Sequence, residues 1–153
     1  MKNSSAATLP CMCANIRRAA RALTQRYDEA LRPLGLTITQ FTILQALSLS
    51  GEPTQGELGE ILAMDSTTLT RTLAIIDRHG WITKKYGTDR RERRLRLTRA
   101  GKSEFNRAVP YWRSAQETLR KRLGKQSWDD LTKLINDTTS MLAEKGDFDG
   151  ATL

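Results

Sequence analysis

The sequence predicts a mainly α-helical chain with one two-stranded β hairpin, preceded by two short helices and flanked at both ends by longer ones. Three observations predict it. Apolar residues recur at helical spacing through most of the chain. Two capping boxes and one strong N-cap mark helix starts in the first half. One stretch near residue 95 changes to strict two-residue alternation, the period of a half-buried strand.

The first helix spans residues 12–32. Met12, Ile16, Ala20, Leu23, Tyr27 and Leu31 recur at steps of three and four, while Arg17, Arg18, Arg21, Gln25 and Arg32 take other faces. Pro33 and Gly35 end it. Thr37 to Gln40 is a capping box that opens a helix burying Phe41, Leu44 and Leu47 and stopping near Gly51. Thr54 to Glu57 is a second box, opening a short helix expected to bury Leu58, Ile61 and Leu62.

Only Ala63 and Met64 separate that helix from Asp65, the N-cap of another whose stripe is Leu69, Leu73 and Ile76 and whose C′ residue is Gly80. Two short helices so tightly joined form a helix-turn-helix pattern, although ordinary helical hairpins share it.

Residues 81–86 and 93–98 are strand-length. In the second, Leu95 and Leu97 alternate with Arg94 and Arg96, and a polar Gly-opened segment, 87–92, lies between. A helix-turn-helix followed directly by a basic hairpin is the winged-helix plan, with a helix for the major groove and a wing for phosphates or the minor groove.

Thr98 then occupies an N-cap position before a long helix carrying Phe105, Val109, Trp112, Gln116, Leu119 and Leu123, within which Pro110 should produce a kink. Gly124 stops it. Ser127 to Asp130 is expected to cap a last helix with Leu131, Leu134, Ile135, Thr138, Met141 and Leu142, ended by Gly146.

Read as one domain, the chain divides into a tail (1–11), an N-terminal association helix (12–36), the winged helix-turn-helix (37–101), C-terminal association helices (102–146) and a second tail (147–153). A two-fold dimer places two recognition helices about one DNA turn apart, matching a palindrome.

Composition narrows the function. The 153 residues carry a net charge of +8, with 39% hydrophobic and 27% charged residues, which fits a globular chain rather than a disordered one. Residues 84–102 hold nine basic and two acidic residues, a net +7, whereas the remaining 134 residues sum to +1. Charge so localised suits a polyanion-facing patch. A solvated basic loop, or a basic adaptor for acidic protein surfaces, would explain the charge but not the helix-turn-helix beside it.

No apolar run approaches the roughly 20 residues of a membrane span. Residues 1–10 lack the pattern of a signal peptide and are expected to fray. Cys11 and Cys13 are too close to form a disulfide framework, which points to a reducing cytoplasm. With His79 as the lone histidine, a structural zinc site lacks ligands, and no metal or other cofactor is expected. His79 is expected to serve the last turn of its helix through the dipole. Trp81, Trp112 and Trp128 suit core positions. No Gly-rich phosphate loop, nucleophile elbow or metal-spaced cluster supports an enzyme.

Five motifs in order, Gly35-Leu36-Thr37-x-x-Gln40-Phe41, Ser66-Thr67-x-Leu69-Thr70-Arg71, Gly80-Trp81-Ile82, Asp89-x-Arg91-Glu92-x-Arg94 and Leu97-Thr98-x-x-Gly101, resemble those of MarR-type transcriptional regulators over about residues 13–141. The resemblance implies an obligate homodimer with interlocking terminal helices. It implies repression of nearby genes from double-stranded DNA, with release by a small phenolic or other organic ligand or by cysteine oxidation.

By position, Ser66, Thr67, Thr68, Thr70 and Arg71 match the recognition-helix face. Arg91 matches a wing-tip arginine for the minor groove, oriented by Asp89. Arg90, Arg93 and Arg94 suit phosphates, and Arg94 also suits a structural ion pair. A wing of this kind would bind in a strongly salt-dependent way. Cys13 precedes Tyr27 by the spacing found in the organic-peroxide-sensing branch, but Arg17 stands where that branch has a second tyrosine, and no downstream resolving cysteine follows. Cys11 and Cys13 lie about 200° apart around a helix, so bridging them requires an unwound first turn. A ligand pocket of the family type would lie between the wing lobe and the terminal helices, with Arg17 or Arg21 meeting a carboxylate.

Overall fold

The structure is a computed structural model describing residues 10–86 and 93–143. The order is α1 (Met12–Leu31), a 3-10 turn (Arg32–Leu34), α2 (Ile38–Ser50), α3 (Gln55–Leu62), α4 (Ser66–Arg78), β1 (Ile82–Tyr86), β2 (Arg93–Leu97), α5 (Arg99–Leu123) and α6 (Lys125–Ala143). The described residues fall into two compact units, divided inside α5 between Ala115 and Gln116.

In the first unit α2 is the central helix. Phe41, Leu44 and Leu47 are buried as expected, but so are Ile43 and Ala46, which makes α2 apolar on nearly every side. Both reciprocal bonds of its capping box form, Gln40 N–H to Thr37 Oγ1 at 3.3 Å and Thr37 N–H to Gln40 Oε1 at 2.9 Å. Asp28 of α1 accepts from the next amide, Ile38, at 2.6 Å, tying the first helix to the second. The rings of Phe105 and Trp112 from α5 lie 5.4 and 5.6 Å from that of Phe41 and close one side of the core.

Helix α3 departs from expectation at one residue. Leu58 is fully buried and Leu62 packs against the core, but Ile61 is 54% exposed. Leu62 lies about 40° around the helix from Leu58 and Ile61 about 60° on the other side. An eight-residue helix covers too narrow a strip of core for all three. Helix α4 follows expectation, with Leu69, Leu73 and Ile76 buried.

The hairpin is antiparallel, pairing Ile82 with Leu97 and Tyr86 with Arg93. Leu95 and Leu97 point inward while Arg93 and Arg96 are exposed. The segment before α3 adds an unexpected third edge. Leu95 N–H donates to the Pro53 carbonyl at 2.8 Å, and Thr54 bridges Arg94. Proline lacks an N–H, so an edge position using only its carbonyl suits it.

Thr98 caps α5 by accepting from Gly101 N–H at 3.0 Å, and its own hydroxyl donates to the Gly80 carbonyl at 2.7 Å. Helix α5 continues through Pro110 without interruption. Glu104, almost fully buried, pairs with Arg107 at 2.7 Å.

In the second unit, Gly124 turns the chain at φ +85°, and α6 starts at once from Lys125. The expected cap at Ser127 is therefore not used as one. Trp128 N–H already donates to the Gly124 carbonyl at 3.0 Å, because a left-handed glycine can end one helix and begin the next without a linker. Trp128 is half-buried, and every other residue of α6 is exposed. Gly146, the expected end of the helix, lies outside the described residues. None of the described helices is long and apolar enough to cross a membrane.

Candidate nucleic-acid interface

Asp65 opens α4, the helix that carries most of the candidate residues. Its carboxylate accepts from Thr68 N–H at 2.9 Å and from the Thr68 hydroxyl at 2.6 Å. These hydroxyl and amide bonds hold the Asp65 carboxyl below the usual carboxylate range, so the first turn of α4 carries a fixed negative cap. Glu57 is likewise held low, by the Thr54 amide first and then its hydroxyl, with the Arg94 guanidinium adding a smaller effect.

With Leu69, Leu73 and Ile76 turned inward, helical geometry turns Thr67 and Arg71 to the opposite side and Thr70 to its flank, while Ser66 sits at the open first turn, and all four are exposed. Thr68 is also exposed, but its single hydroxyl proton is committed to Asp65. Sequence reasoning missed Gln55, the first residue of α3, whose Nε2 donates to Thr70 Oγ1 at 2.8 Å. No local sequence signal marks it, because its partner lies fifteen residues away on the next helix.

The wing root is tied to α4 by the ion pair of Lys84 and Asp77, 3.0 Å apart. Arg93 is exposed on β2. Arg94 is half-buried and donates to the Glu52 carbonyl at 3.1 Å, which anchors the wing to the strip before α3. Asp89, Arg90 and Arg91 lie outside the described residues. His79 stacks on Trp81 with ring centroids 4.3 Å apart, a packing role the sequence did not indicate.

A cavity of about 380 Å³ opens beside the wing root, between Leu47, Leu97 and Phe105 on its apolar side and Arg96, Lys102 and Asn106 on its polar side. At its rim Arg96 Nε lies 3.4 Å from Glu52 Oε1. Arg17 and Arg21 are exposed on α1 and do not line this cavity.

Cys11 and Cys13 are free, exposed thiols at the start of α1. Tyr27 is half-buried, and burial pushes its phenol above the ordinary range. Tyr27 lies fourteen helical steps after Cys13, about 21 Å along the axis, so the two do not meet within one chain.

Residues 34–92 match the model of the MarR family. The organic hydroperoxide resistance transcriptional regulator of Bacillus subtilis is 32% identical over 124 residues, 80% of this chain and 81% of that protein. The chain belongs to the MarR family. The HTH-type transcriptional regulator YwoH of Bacillus subtilis is 31% identical over 90 residues, 59% of this chain and 66% of YwoH, just under two thirds of that protein. Among solved structures, the M. tuberculosis transcriptional regulator MosR in complex with DNA is 39% identical, with a TM-score of 0.78 over 86% of this chain and 96% of that one. As a MarR-family member with this winged helix-turn-helix, the protein is a DNA-binding transcriptional regulator, and the relatives named are regulators rather than enzymes.

Proposed function

We propose that this regulator is a cytoplasmic homodimeric repressor that binds a pseudo-palindromic operator and is released by a small organic ligand. The observation that carries the DNA-binding part is the exposed side of α4, where Thr67 and Arg71 lie opposite the buried leucines, Thr70 flanks them and Ser66 opens the first turn. Short hydroxyls there reach phosphates or thymine methyls, and Arg71 reaches a guanine edge. Arg93, and Arg90 and Arg91 oriented by Asp89, add the wing contacts.

Dimerisation is supported by uncovered apolar side chains on the terminal helices. Met12 and Ile16 of α1 and Leu134, Ile135, Met141 and Leu142 of α6 are each about half exposed or more. In the dimer, residues 12–36 and 102–146 serve association and 37–101 reads DNA. Selection of bound DNA from a random pool tests this reading. Two inverted half-sites about one helical turn apart are expected. Enrichment of a lone half-site removes the dimer, and no enrichment removes specific binding.

For release, the ligand class is an aromatic or phenolic acid. Its carboxylate meets Arg17 or Arg21 on α1, or Arg96 and Lys102 in the wing-root cavity, and alanine variants of each pair separate the two sites. Operator release by benzoate that survives both pairs of substitutions rejects these contacts.

A second reading uses Cys13. It is favoured by the free, exposed thiol in the first turn of α1 and by the name of the 32%-identical relative. The thiolate would attack the terminal oxygen of an organic hydroperoxide. Cleavage of the O–O bond leaves a sulfenic acid and releases the alcohol. Cys13→Ser should then bind DNA normally and no longer respond to cumene hydroperoxide. An unchanged response excludes it.

A further inference from the structure

Several threonine hydroxyls spend their proton inside their own helix. Thr42, Thr72, Thr132 and Thr139 each donate to the carbonyl four residues back, at 2.8 to 2.9 Å. That bond spends the single hydroxyl proton inside the helix. Thr68 spends its proton on the Asp65 carboxylate. Thr70, on the outward face of the recognition helix, donates to no group among the described residues and instead accepts from the Gln55 amide at 2.8 Å.

An amide nitrogen only donates, so the Thr70 oxygen must offer Gln55 a lone pair, and its proton is directed elsewhere. The two residues come from different helices of the helix-turn-helix, fifteen positions apart, and both are exposed. We propose that Gln55 is a specificity-determining positioning residue. It fixes the Thr70 hydroxyl as a donor toward a carbonyl acceptor on a base edge in the major groove, guanine O6 or thymine O4. This rests on the DNA-binding reading of α4.

The geometry also sets a polarity. A hydroxyl held as a donor disfavours the N4 amine of cytosine and the N6 amine of adenine, which are themselves donors. Without Gln55 the hydroxyl returns to the carbonyl of Ser66 or rotates freely, and that discrimination disappears. Gln55→Glu reverses the polarity, because a carboxylate accepts the Thr70 proton and leaves only a lone pair for the base.

The test is selection of bound DNA from a random pool, followed by affinities for single-base variants of the selected operator. It uses the wild type, Gln55→Ala, Gln55→Glu, Thr70→Val and the double variant Gln55→Ala/Thr70→Val. Gln55→Ala and Thr70→Val should lose preference at the same base position in each half-site, by about 3- to 10-fold, the net worth of one hydrogen bond. The double variant should lose no more than either single one. Gln55→Glu should shift that position toward adenine or cytosine.

Uniform weakening on every sequence would make Thr70 a phosphate contact and overturn the proposal, as would a change at different positions for the two residues. Thermal unfolding within about 2 °C of wild type checks that these exposed substitutions leave the fold intact. A wild type that enriches no sequence removes the DNA-reading role of α4 itself. An enriched wild-type operator with unshifted variants removes only the role of Gln55.

Discussion

Gly101 of α5 lies directly against the backbone carbonyl of Trp81. A Cβ built on Gly101 falls well inside the van der Waals distance of the Trp81 oxygen and also meets its carbonyl carbon. Around this approach Thr98 N–H donates to the same Trp81 oxygen at 2.9 Å, and the Thr98 hydroxyl donates to Gly80. The end of α4, the start of the wing and the start of α5 are thus locked through three backbone groups. The glycine of the Leu97-Thr98-x-x-Gly101 motif is required by space rather than by backbone angle.

Gly101→Ala should therefore destabilise the fold although alanine favours helices. The backbone atom it meets cannot swing aside as a side chain would. A loss of about 3 kcal/mol is expected, at the upper end for overpacking, measured by urea unfolding. Gly56→Ala, whose nearest neighbour would be the Thr54 hydroxyl at 3.9 Å, should cost nothing comparable. Equal effects at the two sites would contradict the steric account.

Arg91→Ala should weaken operator binding about tenfold and reduce the slope of log affinity against log salt by about one, as expected for one lost cationic contact. Filter binding or fluorescence anisotropy at several salt concentrations reads both quantities. Arg94→Ala should behave differently. Its guanidinium bonds the Glu52 carbonyl, so the variant should lower thermal stability more than it changes the salt slope.

Leu134→Glu places a charge on the most exposed leucine of α6, which is 63% accessible. It should leave helix content unchanged while weakening self-association by at least tenfold, seen by sedimentation. Operator affinity should fall with it. A variant that remains dimeric at micromolar concentration would remove this face of α6 from the interface.

Stability should fall on acidification for a local reason. Asp65 and Glu57 are both held below their ordinary carboxyl values by hydrogen bonds at helix N-termini. A depressed folded pKa binds the charged form more tightly. The stability it contributes is full above the unfolded value of about 4 and is lost as pH falls through the lower folded values. The melting temperature should drop between about pH 5 and pH 3. Asp65→Ala should start lower at pH 7 and show a shallower drop, measured by circular dichroism.

Much of the fold was legible because its signals are local. Thr37 with Gln40 and Thr54 with Glu57 each satisfy a helix start from within four residues, and both boxes form as read. The alternation of Leu95 and Leu97 with arginines needs only the period of a strand. The buried stripe of Leu69, Leu73 and Ile76 was legible from spacing, whereas the expected recognition residues Ser66, Thr67, Thr68, Thr70 and Arg71 came from the family resemblance.

What was not legible depends on distance in space. Ile61 has the spacing of a core residue, yet it lies at the rim because a short helix covers too little core. Ser127 has the chemistry of a cap, yet Gly124 makes it unnecessary. Gln55 has no signature of its own, and its meaning comes from Thr70, fifteen residues later.

By itself the sequence determined the helices, the hairpin, the charge concentrated in residues 84–102 and the family, because each is written in caps, periods or motifs. Only the tertiary structure decided how individual polar groups are spent. Arg94 goes to Glu52, the Thr68 proton to Asp65, and the Gln55 amide to Thr70. The reason is that a donor or acceptor has a capacity of one or two bonds. Which partner takes that capacity is settled only when separate elements come within about 3 Å of one another.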